Sequence, residues 1–294
     1  MKLYLITSLF ILNHWAIGAG QDIQLSRKPY ATKNSVLTLR SDIVHGGSHT
    51  WHIIKHSDQI DSGHDISQPG YTAASALSAI VPGTVLNTLV YNQVYPEPYY
   101  GLNNAKEQGL IPDITEVGSE FYTYWFRTEF VLPDSFAGKQ VIMQLDGINY
   151  RAEIWLNGHR IGSMAGMFKR GFFNISQHIH FKGNNALAVL VKPVDVPGGF
   201  KNKFKEVRAA GENKNGGDGT IGKNVTMLMS VGWDFTFSDG IRDRNTGIWK
   251  DINLFAVEPV ELRNPFVKSE LSVPDLKTSY QTISADVINH SPTA

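Results

Sequence analysis

A chain of 294 residues is long enough for one large or two ordinary domains with a sizeable core. Lysine plus arginine and aspartate plus glutamate are both 27, so no net charge draws the protein to nucleic acid or to an anionic membrane surface. Cysteine is absent, which removes disulfides, thiolate catalysis and cysteine-ligated zinc together and leaves stability to the core.

Residues 1–20 have the shape of a secretory signal. Lys2 precedes an apolar run through Leu3, Leu5, Ile6, Leu9, Phe10, Ile11 and Leu12, and Gly18, Ala19 and Gly20 stand ahead of Gln21. Asn13 and His14 interrupt the run, which falls short of the ~20 apolar residues a bilayer span needs. A cleavable signal is expected, with a secreted or periplasmic destination. No later segment is apolar enough to cross a membrane.

From Gln21 to about Ser75 the pattern is irregular and polar, with β-prone pieces at Val36 to Leu39 and Trp51 to Ile54. His45 and His49 are spaced as metal ligands only if the segment is helical. Gly46, Gly47, Thr50, Ile53 and Ile54 oppose a helix, so the histidines read as solvated or hydrogen-bonding, and no metal or cofactor is expected. Val81-Pro82-Gly83-Thr84 then opens a short helix, with Thr84 as its cap and Val85, Leu86, Leu89 and Val90 at helical spacing. The stretch Tyr95-Pro96-Glu97-Pro98-Tyr99-Tyr100-Gly101 is too rich in proline for regular structure. It reads either as an aromatic wall of a cleft or as a loop packed down by its own rings.

From Phe121 onward the pattern is β. Strands are expected at Tyr122 to Val131, Gln140 to Leu145, Arg151 to Leu156, Phe172 to Ile175, Ala186 to Val194 and Ile248 to Val257. Asn157-Gly158 is a two-residue hairpin turn. Short strands without intervening helices predict an all-β protein of antiparallel sheets packed face to face. Between Pro197 and Lys223 the chain is rich in Gly, Asn and Lys. There Gly217 to Asn224 nearly matches a phosphate-cradling loop, but Asn224 replaces the hydroxyl that would hold magnesium. Beyond Glu258-Pro259 the chain leaves toward a second unit, and Gln281 to Asn289 reads as a single strand.

The most informative run is Val231 to Leu254. Trp233 and Asp234 open it, Arg242, Asp243, Arg244 and Asn245 sit between aromatic rings, and an apolar strand follows from Ile248. Such a mixture suits a sugar, whose apolar face stacks on a ring while its hydroxyls meet carboxylate, amide and guanidinium groups. The same residues also suit an ion-pair network that merely ties down a loop.

This run, with V-P-G-T-V-L at Val81 to Leu86, Y-P-E-P-Y-Y-G-L-N at Tyr95 to Asn103, Y-W-F-R-T-E-F at Tyr124 to Phe130 and D-G-I-N-Y-R-A-E-I-W-L-N-G at Asp146 to Gly158, resembles the N-terminal sugar-binding domain of glycoside hydrolases of family two. The match is to the β-mannosidase and exo-β-glucosaminidase branch, with all the motifs in order across roughly Trp51 to Phe266. The resemblance implies a jelly-roll, galactose-binding-like β-sandwich over 21–260 and the truncated start of an immunoglobulin-like sandwich over 261–294. It also implies retaining hydrolysis by two glutamates on a β/α barrel that would lie beyond Ala294. No catalytic residue is therefore assigned here, and none of the carboxylate pairs Glu116 with Glu120, Asp234 with Asp239, or Asp239 with Asp243 lies in a repeating β/α pattern.

By the same resemblance Trp233 supplies a ring wall to the terminal non-reducing sugar and Asp234 accepts its hydroxyls or an amino group. Arg242, Asp243 and Asn245 touch substrate or orient the loop, and Pro197 to Lys223 is a long loop near the sugar. The chain departs from the family at Phe235, where relatives often carry a second tryptophan. The implied function is the N-terminal part of an exported exo-acting β-glycosidase of mannose or glucosamine type, whose partners are a β-linked glycan and the protein's own barrel. The alternatives are a free-standing carbohydrate-binding module and a structural adhesion domain whose sugar-like motif only stabilises a loop.

Overall fold

The computed structural model describes residues 2–6, 10–11, 36–195, 226 and 245–289. Strands and helices are numbered in chain order. The larger sheet has six strands in the order β11 (His159–Ala165), β10 (Arg151–Leu156), β13 (Asn184–Lys192), β7 (Tyr124–Val131), β4 (Trp51–Lys55) and β5 (Leu77–Ser78). A second sheet runs β12 (Gly171–Asn174), β8 (Gln140–Leu145), β15 (Ile252–Val257) and β3 (Val36–Thr38). All pairings within both are antiparallel, so the architecture is the all-β sandwich that the strand pattern predicts.

The core between the sheets follows from alternation. Val141, Met143 and Leu145 of β8 meet Ala152, Ile154 and Leu156 of β10 and Trp51, Ile53 and Phe126 of β4 and β7 in one buried cluster. Strand β13 is apolar without alternation because both of its faces are covered. Leu187, Val189 and Val191 join the main core, while Ala188 and Leu190 pack outward with Ile54, Trp125 and Ile66. That outer layer is a covering segment that includes helix α1 (Gly63–Ile66) and continues through Tyr71, Ala73 and Ala76. Gly63 lies so close to the Trp155 indole that a side chain there would overlap the ring.

Helix α2 (Val85–Tyr91) begins where the sequence places it. Thr84 Oγ1 accepts from Asn87 N at 3.1 Å and Asn87 Oδ1 accepts from Thr84 N at 2.7 Å, a reciprocal cap. Asn157 and Gly158 take positive φ of 49° and 82° between β10 and β11, the turn expected there. Asn157 adds a tertiary role, since its Nδ2 donates to His178 O and Asn185 Oδ1.

Two expectations are corrected. The strand read over Ile248 to Val257 is two elements, β14 (Gly247–Ile248) and β15, which belong to different sheets. Trp249 to Asp251 carry the chain between them: Trp249 Nε1 donates to Met167 O at 2.9 Å, and Asp251 O accepts from Asp146 N at 3.0 Å. The single strand read at Gln281 to Asn289 is longer and has a partner. It is β17 (Thr278–Asn289), paired with β16 (Val260–Leu271), while β1 (Lys2–Ile6) and β2 (Phe10–Ile11) from the signal-like segment pair with β17. Leu262, Phe266 and Val273 on and beside this hairpin are 68%, 62% and 82% exposed, far above any residue of the sandwich core.

Candidate functional site

Three short strands form a sheet of their own in the order β6 (Gly83–Thr84), β14, β9 (Ile148–Asn149). Each comes from a different sequence motif: V-P-G-T, N-T-G-I and D-G-I-N-Y. Strand β14 is in the middle, with Gly247 opposite both Thr84 and Asn149, and Ile248 opposite both Gly83 and Ile148. Just ahead of it, Thr246 O accepts from Val85 N at 2.8 Å, which ties the strand to the first turn of α2.

Glycine is required at position 247 by close approach, because a Cβ there would overlap the Gly83 carbonyl and the Thr84 backbone. Gly147 plays the same part on the other side, packed against the Trp249 indole. Phe168 meets that indole edge-on at 5.2 Å, and Lys250 Nζ lies 4.6 Å from its ring centre.

Asn245 is the one candidate site residue within the described part. It is half-buried, and its backbone O and Oδ1 accept from Asn149 Nδ2 at 3.1 and 2.6 Å. Both partners are acceptors, so the Asn149 amide has one orientation. Asn149 is 1% exposed and its Oδ1 has no hydrogen-bond partner among the described residues. The arrangement fixes where the Trp233 to Asn245 run rejoins the sandwich, and Asn245 acts there as an anchor. Trp233, Asp234, Arg242 and Asp243 lie outside the described residues, as do Asp239, the Pro197 to Lys223 stretch and the near-match to a phosphate loop at Gly217 to Asn224. The part played by Asn149 was missed in the sequence, although its motif was singled out.

The proline-rich aromatic stretch divides between its two readings. Tyr95 packs against the core and Pro98 is buried, whereas Tyr99 and Tyr100 are exposed. Glu97 organises the turn, its Oε1 accepting from Tyr99 N and its carbonyl from Asn103 Nδ2. His45 lies on a turn with Gly46 at φ +75° and His49 bridges to Ser41, so neither is on a helix, and among the described residues no three of His, Asp and Glu are placed to hold a metal. Glu116 and Glu120 are both exposed, and Glu120 is 3.8 Å from His56 Nε2. Among the described residues no helix is long and apolar enough to cross a membrane.

The sequence profile described as glycosyl hydrolase 2 galactose-binding domain-like matches residues 54–250, a span that takes in every strand from β5 to β14, the whole three-stranded sheet among them. The chain belongs to this family. The galactose-binding-like domain is 42% identical over 194 residues to a mannosylglycoprotein endo-β-mannosidase of Lilium longiflorum, a match covering 66% of this chain and 19% of that protein. It is 27% identical over 238 residues to an exo-β-D-glucosaminidase of Streptomyces avermitilis, covering 80% and 22%. The chain thus spans about a fifth of the length of the curated relatives it matches. Two solved structures share the fold: the β-D-mannosidase of Dictyoglomus thermophilum, with TM-score 0.59 and 20% identity over 87% of this chain and 26% of that one, and the exo-chitosanase of Amycolatopsis orientalis, with TM-score 0.58 and 20% identity over 83% and 24%.

Proposed function

We propose that this galactose-binding-like domain is the N-terminal, sugar-gripping part of an exported exo-acting β-glycosidase. Trp233 offers a ring face to the terminal sugar and Asp234 accepts hydrogen bonds from its hydroxyls or amino group. Arg242 and Asp243 orient the loop, and Asn245 holds its base. Retaining cleavage belongs to two carboxyl groups on a barrel outside these 294 residues. The observation that carries the reading is the clamp on Asn245 and β14 between α2's cap and Asn149. A loop that selects one sugar must be held to within a fraction of an ångström at its base.

Residues 1–20 are a signal removed on export, and 261–294 begin an immunoglobulin-like sandwich. The exposed apolar side chains of β16 and β17 support the second point, since an apolar sheet face calls for a further packed layer to bury it. The 42% identity to an endo-β-mannosidase favours a second reading, in which the same grip holds a mannose within a glycan chain.

The test is a titration of the 294-residue chain with methyl β-D-mannoside and methyl β-D-glucosaminide. Asp234→Ala is expected to weaken binding at least tenfold with an unchanged melting temperature. A variant that melts earlier but binds as before supports the loop-stabilising alternative and overturns the proposal. The same chain is expected to release no p-nitrophenol from either β-glycoside, and turnover would overturn the assignment of cleavage to a barrel.

A further inference from the structure

An open cleft lies on the outer face of the six-stranded sheet. It is a cleft of about 660 Å³ between the covering segment at Gly70, Tyr71, Thr72, Ala73 and Ala76 and the neighbouring strands β4 and β7. Sheet register separates it from the Asn245 anchor. The β9–β10 junction lies at the end of the sheet where Tyr124 pairs with Val191 and Arg151 with Lys192, whereas the cleft is built on Arg127, Glu129 and His52 farther along β7 and β4. Its volume falls within the ~300–1,000 Å³ of small-ligand sites.

The chemistry of the lining is specific. Arg127 Nε donates to Ile66 O at 2.9 Å and Nη2 donates to Gln68 O at 2.8 Å and to Glu129 Oε1, so the guanidinium is pinned and its charge neutralised. Glu129 is fully engaged as well, accepting from Gly70 N and from Asn184 Nδ2 in addition. What remains for a visitor is Arg127 Nη1 together with the His52 and Thr72 side chains, none of which has a hydrogen-bond partner among the described residues. Burial and the neighbouring Arg127 charge hold the His52 imidazole below its ordinary pKa, so at neutral pH it presents one donor and one acceptor. Beside these lie Ile54, Ala73 and Ala76 and the ring of Tyr71, whose hydroxyl is taken up by Asp61 at 2.8 Å.

We propose that this cleft is an accessory binding site for a neutral sugar unit, apart from the Asn245 anchor. A pinned donor, a neutral imidazole and a hydroxyl beside an apolar and aromatic wall match a pyranose, which presents hydroxyls at its rim and C–H groups on its face. An acidic sugar fits less well, because Glu129 already balances Arg127, the one arginine or lysine among the described lining residues, and would face the added carboxylate. The choice of a sugar rests on the proposed function, but the cleft and its free groups do not.

The experiment follows backbone amide shifts of the 294-residue chain during titration with β-1,4-mannobiose. Saturable shifts are expected at Thr50, His52, Gly70, Tyr71 and Thr72, and they are expected to persist in Asp234→Ala. The double variant His52→Ala/Thr72→Ala removes side chains that make no hydrogen bonds among the described residues, and it is expected to weaken these shifts at least tenfold without lowering the melting temperature. Absence of shifts at these amides, their loss in Asp234→Ala, or indifference to the double variant overturns the proposal. So does tighter binding of glucuronic acid than of mannobiose. Failure of the Trp233–Asp234 grip alone reads differently, as binding that is insensitive to Asp234→Ala while the cleft still responds.

Discussion

Asn149 and Asn245 are 96 residues apart in the chain, and one amide nitrogen joins them by two hydrogen bonds, at 2.6 Å to the side chain and 3.1 Å to the backbone. This places Asn245, the last residue of the Trp233 to Asn245 run, against β9 and makes Asn149 its tertiary contact. Asn149→Ala is expected to cost about 1–3 kcal/mol, the usual penalty for leaving buried polar groups unpaired. Asn149→Asp is expected to cost more, because a carboxylate oxygen would then face two acceptors in a site that is 1% exposed. Chemical denaturation of both variants checks the order, and equal losses would contradict the proposed orientation of the amide.

Gly247→Ala tests the close approach in the three-stranded sheet. The added methyl meets the Gly83 carbonyl and the Thr84 backbone, neither of which can swing aside as a side chain can. A loss of about 1–3 kcal/mol or more is expected from overpacking. Glycan binding is expected to fall with it, since β14 also carries the base of the candidate loop. A folded, equally stable Gly247→Ala would show that β14 is not wedged between β6 and β9.

Glu129 gives stability a pH dependence. Burial alone would raise its pKa, but hydrogen bonds from Arg127, Gly70 and Asn184 and the Arg127 charge outweigh burial and hold it below the ordinary 4.5. A folded-state pKa that is depressed contributes stability above the unfolded value, and that contribution is lost as pH falls through the folded value. Glu129→Gln leaves Arg127, whose side chain is 7% exposed, without its counter-charge, and is expected to cost about 2–4 kcal/mol at pH 7. The gap between wild type and variant, followed by urea midpoints, is expected to hold above pH 4.5 and to narrow as pH drops below it. A gap that widens toward acid would reverse the sign of the coupling.

The sequence by itself determined the elements whose signal is local. Strands β8 and β10 fall on the residues their alternation marks, Thr84 caps α2, and Asn157-Gly158 turns the hairpin, because each depends on side-chain period or on φ preference within a few residues. Family motifs also located the family before any geometry was known. Only the tertiary structure decided that Ile248 and Ile252 belong to different sheets, that Asn149 holds Asn245, and that Arg127, His52 and Thr72 meet at one cleft. Those relations join residues far apart in the chain, and what fixes them is the pairing of distant strands and the satisfaction of buried polar groups, neither of which leaves a periodic mark in the sequence.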